Sequence, residues 1–481
     1  MSNPVANWWR SQQFKFALMQ GNIGKAVHLL KDIQEYSKSL SWLEKLFKNQ
    51  VKSENFRKEL EREVSALRGQ ITELQNTSKV EFLNQEREWQ ESLSEKQKQI
   101  ISLQSKIDEL SLELNQAFEK LESKNESQNN LSLPILPVDD EFIKFINKAF
   151  NLIQHDANKL QCTGIDERIF DDFEAQLVEY LKDEFRRIPD KQLKLKLEDA
   201  LEDINILKIG KDPDYRFSLT PHVYYMKYFL ENVYCVYLAW FLIYESRLLT
   251  ANIKILDIAA GPGTVAYGLA LFLQSISGFV DIPQMHISYY SLEKQDAFQY
   301  RCLQFWRKYI ESRKTPVNAF FRFVTSDIFT WDEKSNNIPT DFFEFVVIAH
   351  CFFKDSENKI KASNIYKQII NSSLKDNGHA LLVIQDKALY KGYGAYQCED
   401  CKLEKKLINQ FVEELGLKLV WYRYLTSTGL RVPLGNGEFG KFAREYLPKQ
   451  LQISPMLQKY FGQRSQIHYS LDDYVILAKK A

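Results

Sequence analysis

The 481-residue sequence carries no excess charge of either sign, with 63 lysines and arginines against 63 aspartates and glutamates. A global basic field that would gather nucleic acid is therefore absent, which leaves only local patches as candidates. Cysteine is scarce: six are scattered along the chain. The opening MSNPVANWWR has no charged segment followed by an apolar one, and with the scattered cysteines this leads to an expected cytoplasmic, reducing environment. Cys398-x-x-Cys401 is the only close cysteine pair. No second pair or histidine pair stands at a matching spacing, so two free thiols in a loop are expected, and no metal. Long apolar runs are missing too. The richest, Tyr224 to Tyr244, is interrupted by Lys227, Glu231 and Asn232, which leaves 12 uncharged residues before Glu245. A bilayer span takes roughly 20, so a buried helix is expected there and no membrane partner.

What is present suffices for a sizeable core: 44% of residues are hydrophobic and 13% aromatic. Residues 1–40 are expected to hold a helical hairpin over 12–35, because Gly21-Asn22 breaks a helical pattern that resumes at Ala26, Leu29 and Leu30. It is similar to one helix-turn-helix repeat unit, but no second copy follows, so a cap or docking element is the plainer reading. Residues 41–123 are expected to form a coiled coil. Leu60, Val64, Leu67, Ile71 and Leu74 step by 4-3-4-3, and Ile100, Leu103, Ile107, Leu110, Leu114, Ala117 and Leu121 by 3-4-3-4-3-4. The less regular stretch between them reads as a stutter, and the seam 60–121 is expected to pair with a second copy or a partner protein. Residues 124–138, polar and closed by Pro134 and Pro137, read as a linker, 139–218 as a helical subdomain and 219–481 as an α/β domain.

That last domain is organised around Ile253 to Ala266, I-K-I-L-D-I-A-A-G-P-G-T-V-A. Ile253, Ile255, Leu256 and Ile258 predict a buried strand, the small residues Ala259 to Gly263 a tight turn, and Val265 to Leu273 a helix. A side chain at Gly261 or Gly263 would keep the backbone from closing on a ligand. Two cofactor classes use such a loop, and Gly261-x-Gly263-x-x-Ala266 satisfies the dinucleotide fingerprint. However, Asp257 lies inside the strand. The next strand, Ile287 to Leu292, ends in Glu293, thirty residues after Gly263, where the dinucleotide pattern expects its acid roughly 20 residues on. D-I-A-A-G-P-G-T followed by S-L-E resembles the class I S-adenosylmethionine-dependent methyltransferases. The order helical region, helix, D-x-A-A-G-P-G-T, E, D is also similar to ribosomal small-subunit methyltransferase-like proteins, whose cysteine cluster is not matched here.

After Glu293 strands and helices alternate, at Ala319 to Val324, Phe343 to Ala349 and Ala380 to Gln385, which predicts a doubly wound, Rossmann-like sheet with ligands at the strand ends. The resemblance implies S-adenosyl-L-methionine as cofactor. It would place Ala259, Gly261 and Gly263 near the methionine part, with Asp257 supporting the loop or the cofactor amine. Glu293 would meet the ribose hydroxyls and Asp327 the adenine amino group. His350, at the end of the fourth strand, is a candidate catalytic base or acceptor-orienting group; a histidine bonded only to backbone is the competing reading. The position lacks the Asn/Asp-Pro-Pro-Tyr/Phe tetrapeptide of the amino-methylating nucleic-acid enzymes and reads A-H-C-F instead.

The resemblance ends in an antiparallel strand pair, expected at Lys418 to Leu425 and Tyr474 to Ala478. Between them, residues 430–468 are locally basic and interleaved with aromatics: Arg431, Lys441, Arg444, Lys449, Lys459 and Arg464 beside Phe439, Phe442, Tyr446, Tyr460 and Phe461. Two readings stand, a nucleic-acid grip and an apolar cap with a solvated outer face. The expected function is methylation of a macromolecule (RNA, DNA or protein) rather than a small metabolite. The alternative is a catalytically degenerate methyltransferase fold acting as a scaffold through its coiled coil.

Overall fold

The structure, a computed structural model, describes residues 4–36, 40, 41, 43–49, ten positions scattered between 65 and 106, and 135–481. Within the last stretch, 210–212, 214, 216, 283, 284, 314–316, 332–337, 354 and 463–466 are excepted. Two compact units divide the chain, Met1–Asn130 and Leu131–Ala481. In the first, α1 (Pro4–Met19) and α2 (Ile23–Tyr36) form a hairpin. Gly21 takes the left-handed turn, and the Asn22 side chain accepts from the Lys25 N–H at the start of α2. Phe14, Ala17, Ala26, Leu30 and Ile33 close its small core. The heptad positions from Leu60 to Leu121 lie outside the described residues.

The second unit opens with α3 (Asp140–Ala149), whose N-terminus is capped by Asp139 accepting from the Phe142 N–H at 2.7 Å. Two short strands follow, β1 (Ile153–Gln154) and β2 (Lys159–Gln161), then α4 (Glu167–Phe185) and α5 (Asp190–Asn205). A continuous helical rod comes next: α6 (Thr220–Tyr224), a π-helical turn over Tyr225–Phe229, and α7 (Leu230–Glu245). Every side chain of α7 from Val233 to Tyr244 is buried. Its polar tips find partners inside: the Trp240 indole donates to the Val265 carbonyl at 3.2 Å, and the Tyr244 hydroxyl donates to the Pro137 carbonyl at 2.8 Å. Among the described residues no helix is long and apolar enough to cross a membrane.

The rod feeds the sheet. In order come β3 (Asn252–Ile258), α8 (Thr264–Ile276), β4 (Met285–Glu293), α9 (Asp296–Tyr309), β5 (Val317–Thr325), β6 (Phe343–Ala349), α10 (Ser356–Ser373) and β7 (Leu374–Gln385). They are followed by α11 (Asp386–Gly392), α12 (Cys401–Glu414), β8 (Leu417–Thr426), α13 (Asn436–Tyr446), α14 (Ile453–Phe461) and β9 (Asp472–Lys480). The nine strands stand in the order β1-β2-β8-β9-β7-β6-β3-β4-β5. β5, β4, β3, β6 and β7 are parallel, and β9 runs antiparallel between β7 and β8. From β3 the chain steps outward through β4 and β5, then returns to the other side of β3 with β6. That reversal opens a crevice beyond the carboxyl ends of β3 and β6, the position at which doubly wound sheets take ligands.

Alternation along the strands serves two cores. Ile253 and Ile255 face the side packed by α3, α4, α7 and α8, while Leu256 and Ile258 face the side covered by α10 and α12. Residues 139–218 contribute Phe142, Phe170, Leu177 and Leu197 to the same core as β3. The region around the cysteine pair is helical as well as looped: Cys401 opens α12 and is exposed, and Cys398 precedes it, partly buried. In the long connection between β8 and β9, α14 turns Ile453, Met456 and Leu457 into the main core, and Glu174 of α4 accepts the N–H groups of Gln452 and Ile453 at 2.9 Å. Arg431 is not part of a basic surface. It is 2% exposed and paired with Glu404 at 2.6 Å and Asp156 at 2.8 Å.

Candidate functional site

The backbone leaves β3 through Ala259, which takes a left-handed conformation, φ 57°, a region uncommon for residues with a side chain. Its N–H and that of Ala260 both donate to the Leu292 carbonyl, at 2.7 and 3.2 Å, so the loop is stitched to the end of β4. Gly261 follows with φ 53° and donates its N–H to Glu293 Oε2 at 2.7 Å. Glu293 Oε1 accepts the Gln295 N–H at 2.9 Å. The carboxylate at the end of β4 thus orders two loops at once.

The two glycines do different work. Gly261 has no heavy atom within 4 Å of where a Cβ would stand, and it lines the cleft. Gly263 has φ 78°, and a Cβ there would stand 2.3 Å from Cys302 Sγ of α9. Its bareness lets the loop pack against a helix.

A cleft of about 450 Å³ lies at the carboxyl ends of the central strands. Ala259, Gly261, Glu293, Asp327 and His350 all line it. Asp257 and Gly263 are not among the lining residues. Asp257 is 1% exposed and accepts from the Tyr289 hydroxyl. Burial pushes its carboxyl up to about 8, against the pull of the Tyr289 bond and with the Glu293 charge adding to the rise. At neutral pH it is mostly the protonated acid. Asp327 caps the short helical turn Ile328–Thr330 by accepting the Phe329 N–H at 3.0 Å, and Lys294 Nζ stands 3.1 Å from its Oδ2.

His350 follows β6 as Ala259 follows β3, again with a positive φ, 58°. Its N–H donates to the Val383 carbonyl at 2.8 Å, and its Nε2 lies 3.2 Å from Asp473 Oδ1 at the start of β9. The imidazole therefore has a carboxylate partner from a strand 123 residues away.

The helix expected to be buried also supplies part of the cleft wall, through Tyr224, Tyr228 and Asn232. They recur every four residues, and Asn232 Nδ2 donates to the Tyr224 hydroxyl at 3.0 Å. The π-helical turn lies between the first and last of them, a distortion frequent at functional sites. Tyr215 and Phe298 continue the wall, with Phe298 ring-to-edge against Tyr224 at 5.2 Å. The available signal was the run of tyrosines with polar tips on an otherwise apolar helix.

No family model and no curated protein matches the chain. Solved structures that resemble it include a protein from Methanococcus maripaludis described as an S-adenosyl-L-methionine-dependent methyltransferase, at 13% identity and a TM-score of 0.26, over 55% of this chain and 90% of that one. The YcgJ protein of Bacillus subtilis is similar at 14% identity and a TM-score of 0.27, over 50% and 98%. A fibrillarin pre-rRNA processing protein from Methanococcus jannaschii is similar at 13% and 0.26, over 48% and 67%. Likenesses this low carry no argument, and the assignment of the cleft rests on its own geometry.

Proposed function

We propose that the protein is an S-adenosyl-L-methionine-dependent methyltransferase that takes its cofactor in the cleft beyond β3. The observation that carries this reading is the convergence, at one topological switch point, of a glycine loop with open space at Gly261, the carboxylate of Glu293 and the carboxylate of Asp327. The donor set suits an adenosine. A carboxylate with about four lone-pair sites can accept from a ribose diol while holding the loop, and Asp327 stands one strand further along the sheet, where it would accept from the adenine amino group. Gly261 and Ala259 would lie along the methionine part, with Asp257 and Gly263 supporting the loop from behind. The antiparallel pair β8 and β9 agrees with the same resemblance.

When bound, the cofactor supplies an already activated methyl group, so alignment of the acceptor is the protein's main task. His350, held by Asp473, stands at the acceptor end as the group that orients the acceptor or takes its proton. Tyr224, Tyr228 and Phe298 form an aromatic wall of the same cleft, which would limit the water around a bound cofactor and acceptor. We read the acceptor as a macromolecule, RNA, DNA or protein, brought in through the heptad seam 60–121 or the outer face of 430–468.

Calorimetric titration of the full chain tests the reading. Micromolar binding of S-adenosylmethionine and S-adenosylhomocysteine but not NAD is expected. Glu293→Ala should weaken it at least ~10-fold, the loss of a charge-assisted hydrogen bond pair. Absence of binding by all three would leave the scaffold reading, a degenerate fold that functions through its coiled coil.

A further inference from the structure

Behind His350 three ligand-type side chains from three distant segments meet. Cys235 Sγ of α7, a His350 ring nitrogen and an Asp473 carboxylate oxygen all lie within 4.8 Å of one another. Among the described residues no other group of histidine, cysteine and acid side chains comes together in this way, and Cys398 and Cys401 gather no third ligand. We propose that Cys235, His350 and Asp473 bind one thiophilic divalent cation, zinc by its donor set, at the acceptor end of the cleft.

The donor types decide the class of ion. A thiolate with an imidazole selects zinc and its soft neighbours over magnesium or calcium, which take oxygen ligands. Ligand bonds of about 2.0–2.3 Å in tetrahedral geometry separate ligand atoms by roughly 3.3–3.6 Å. His350 Nε2 and Asp473 Oδ1 already stand 3.2 Å apart, and the widest pair needs to close by little more than 1 Å from its 4.8 Å limit. Supporting contacts surround the group. The Asp472 N–H donates to Asp473 Oδ2 at 3.3 Å. One turn before Cys235, Glu231 accepts from the Ser470 hydroxyl at 2.9 Å, fixing the segment just ahead of Asp473 against α7. His350 holds its place through a backbone conformation rare for a residue with a side chain.

Three protein ligands leave a fourth position, the arrangement of catalytic rather than structural zinc. Of the three ligands only His350 lines the cleft, as does Asn232, three residues before Cys235, so a fourth position on the His350 side would face it. With the cation bound, His350 orients the acceptor through the metal instead of by direct contact. This last role rests on the methyltransferase reading; cation binding does not.

Cobalt(II) titration of the chelator-stripped full chain tests the site. One equivalent should give a thiolate-to-cobalt charge-transfer band in the near ultraviolet and the strong visible bands of a four-coordinate ion. Cys235→Ser should abolish the charge-transfer band. His350→Asn and Asp473→Asn should weaken zinc binding by more than about 100-fold, since substitution of outer partners alone costs 10–100-fold. Asn suits the left-handed backbone at 350, and thermal melts of the stripped variants separate lost ligation from lost folding. The double variant Cys398→Ser/Cys401→Ser should keep the band. No band in the native chain, or a band that survives Cys235→Ser, overturns the proposal. Cobalt binding without cofactor binding would overturn the methyltransferase reading and leave this site standing, and the converse would overturn this site alone.

Discussion

Gly263 is the residue whose role the structure moves furthest from its expectation. In the sequence it reads as part of a cofactor loop; in the fold its α-carbon faces Cys302, which is 1% exposed. A methyl group there would meet sulfur at 2.3 Å and also force a left-handed conformation on a residue with a side chain. Gly263→Ala should therefore destabilise the protein by about 2–4 kcal/mol, the sum of backbone strain and overpacking. If the clash is the larger part, Cys302→Ala in the Gly263→Ala background should recover stability, although alone it opens a cavity. Urea denaturation of the four-member cycle measures this coupling, expected at about 1–2 kcal/mol; strict additivity would mean that strain alone acts. Ala259, Gly261 and Glu293 were legible because a glycine loop and a strand-end acid are local patterns. Asp473 and Cys235 were not. Each meets His350 only because β9 inserts beside β7 and α7 passes behind β6, and neither arrangement leaves a spacing in the chain.

Among the elements, the central strands and the helix after the glycine loop were legible from their apolar runs, and the rod 220–245 from its apolar density. β1 and β2 were hidden, at two and three residues, too short for alternation to show against the flanking helices. β2 nevertheless extends the sheet parallel to β8, pairing Leu160 with Leu425. The Arg431 guanidinium fastens this edge. It joins Asp156 in the turn between β1 and β2 to Glu404 of α12, and Glu404 also accepts from the Tyr422 and Tyr474 hydroxyls at 2.9 and 3.0 Å. Counted as a basic residue in sequence, Arg431 serves as a buried clasp. Arg431→Met should leave the buried Glu404 carboxyl without its cationic partner, at a cost of about 3–5 kcal/mol. Glu404→Gln in the same chain should return much of that loss, because the amide still accepts from a tyrosine and no longer carries charge. Equal stability of the single and double variants in chemical denaturation would show that the loss comes from missing packing around residue 431 and not from an unpaired carboxylate.

At the scale of the whole molecule, buried acids set the pH dependence of stability. Burial raises the Asp257 carboxyl to about 8 and that of Glu174 to about 7. Asp386 is raised to about 7, by burial and then by the Asp472 charge, and its Oδ1 has no hydrogen-bond partner among the described residues. In the unfolded chain such groups titrate near 4. Below that value both states hold the proton and these groups contribute no slope. Between about 4 and 8 the folded protein keeps protons that the unfolded chain has released, so stability falls as pH rises through that window. Glu184 acts in the opposite sense. His222 and Arg301 beside it hold its carboxyl down to about 2, so its contribution is complete above about 4 and is lost as pH drops toward 2. Together these shifts place the optimum near pH 4 and a decline toward pH 8, although overall charge is balanced at neutral pH. The paired substitution Asp257→Asn/Glu174→Gln keeps an acceptor at both positions and removes two ionisations. At pH 8 it should raise the melting temperature by several degrees, since 1 kcal/mol is worth roughly 2–4 °C in larger domains, and at pH 4 it should change it little. Melting curves recorded from pH 4 to 9 for both proteins decide the matter: converging curves at low pH and diverging ones at high pH are expected. Parallel curves would place the pH dependence in groups other than these two carboxyls.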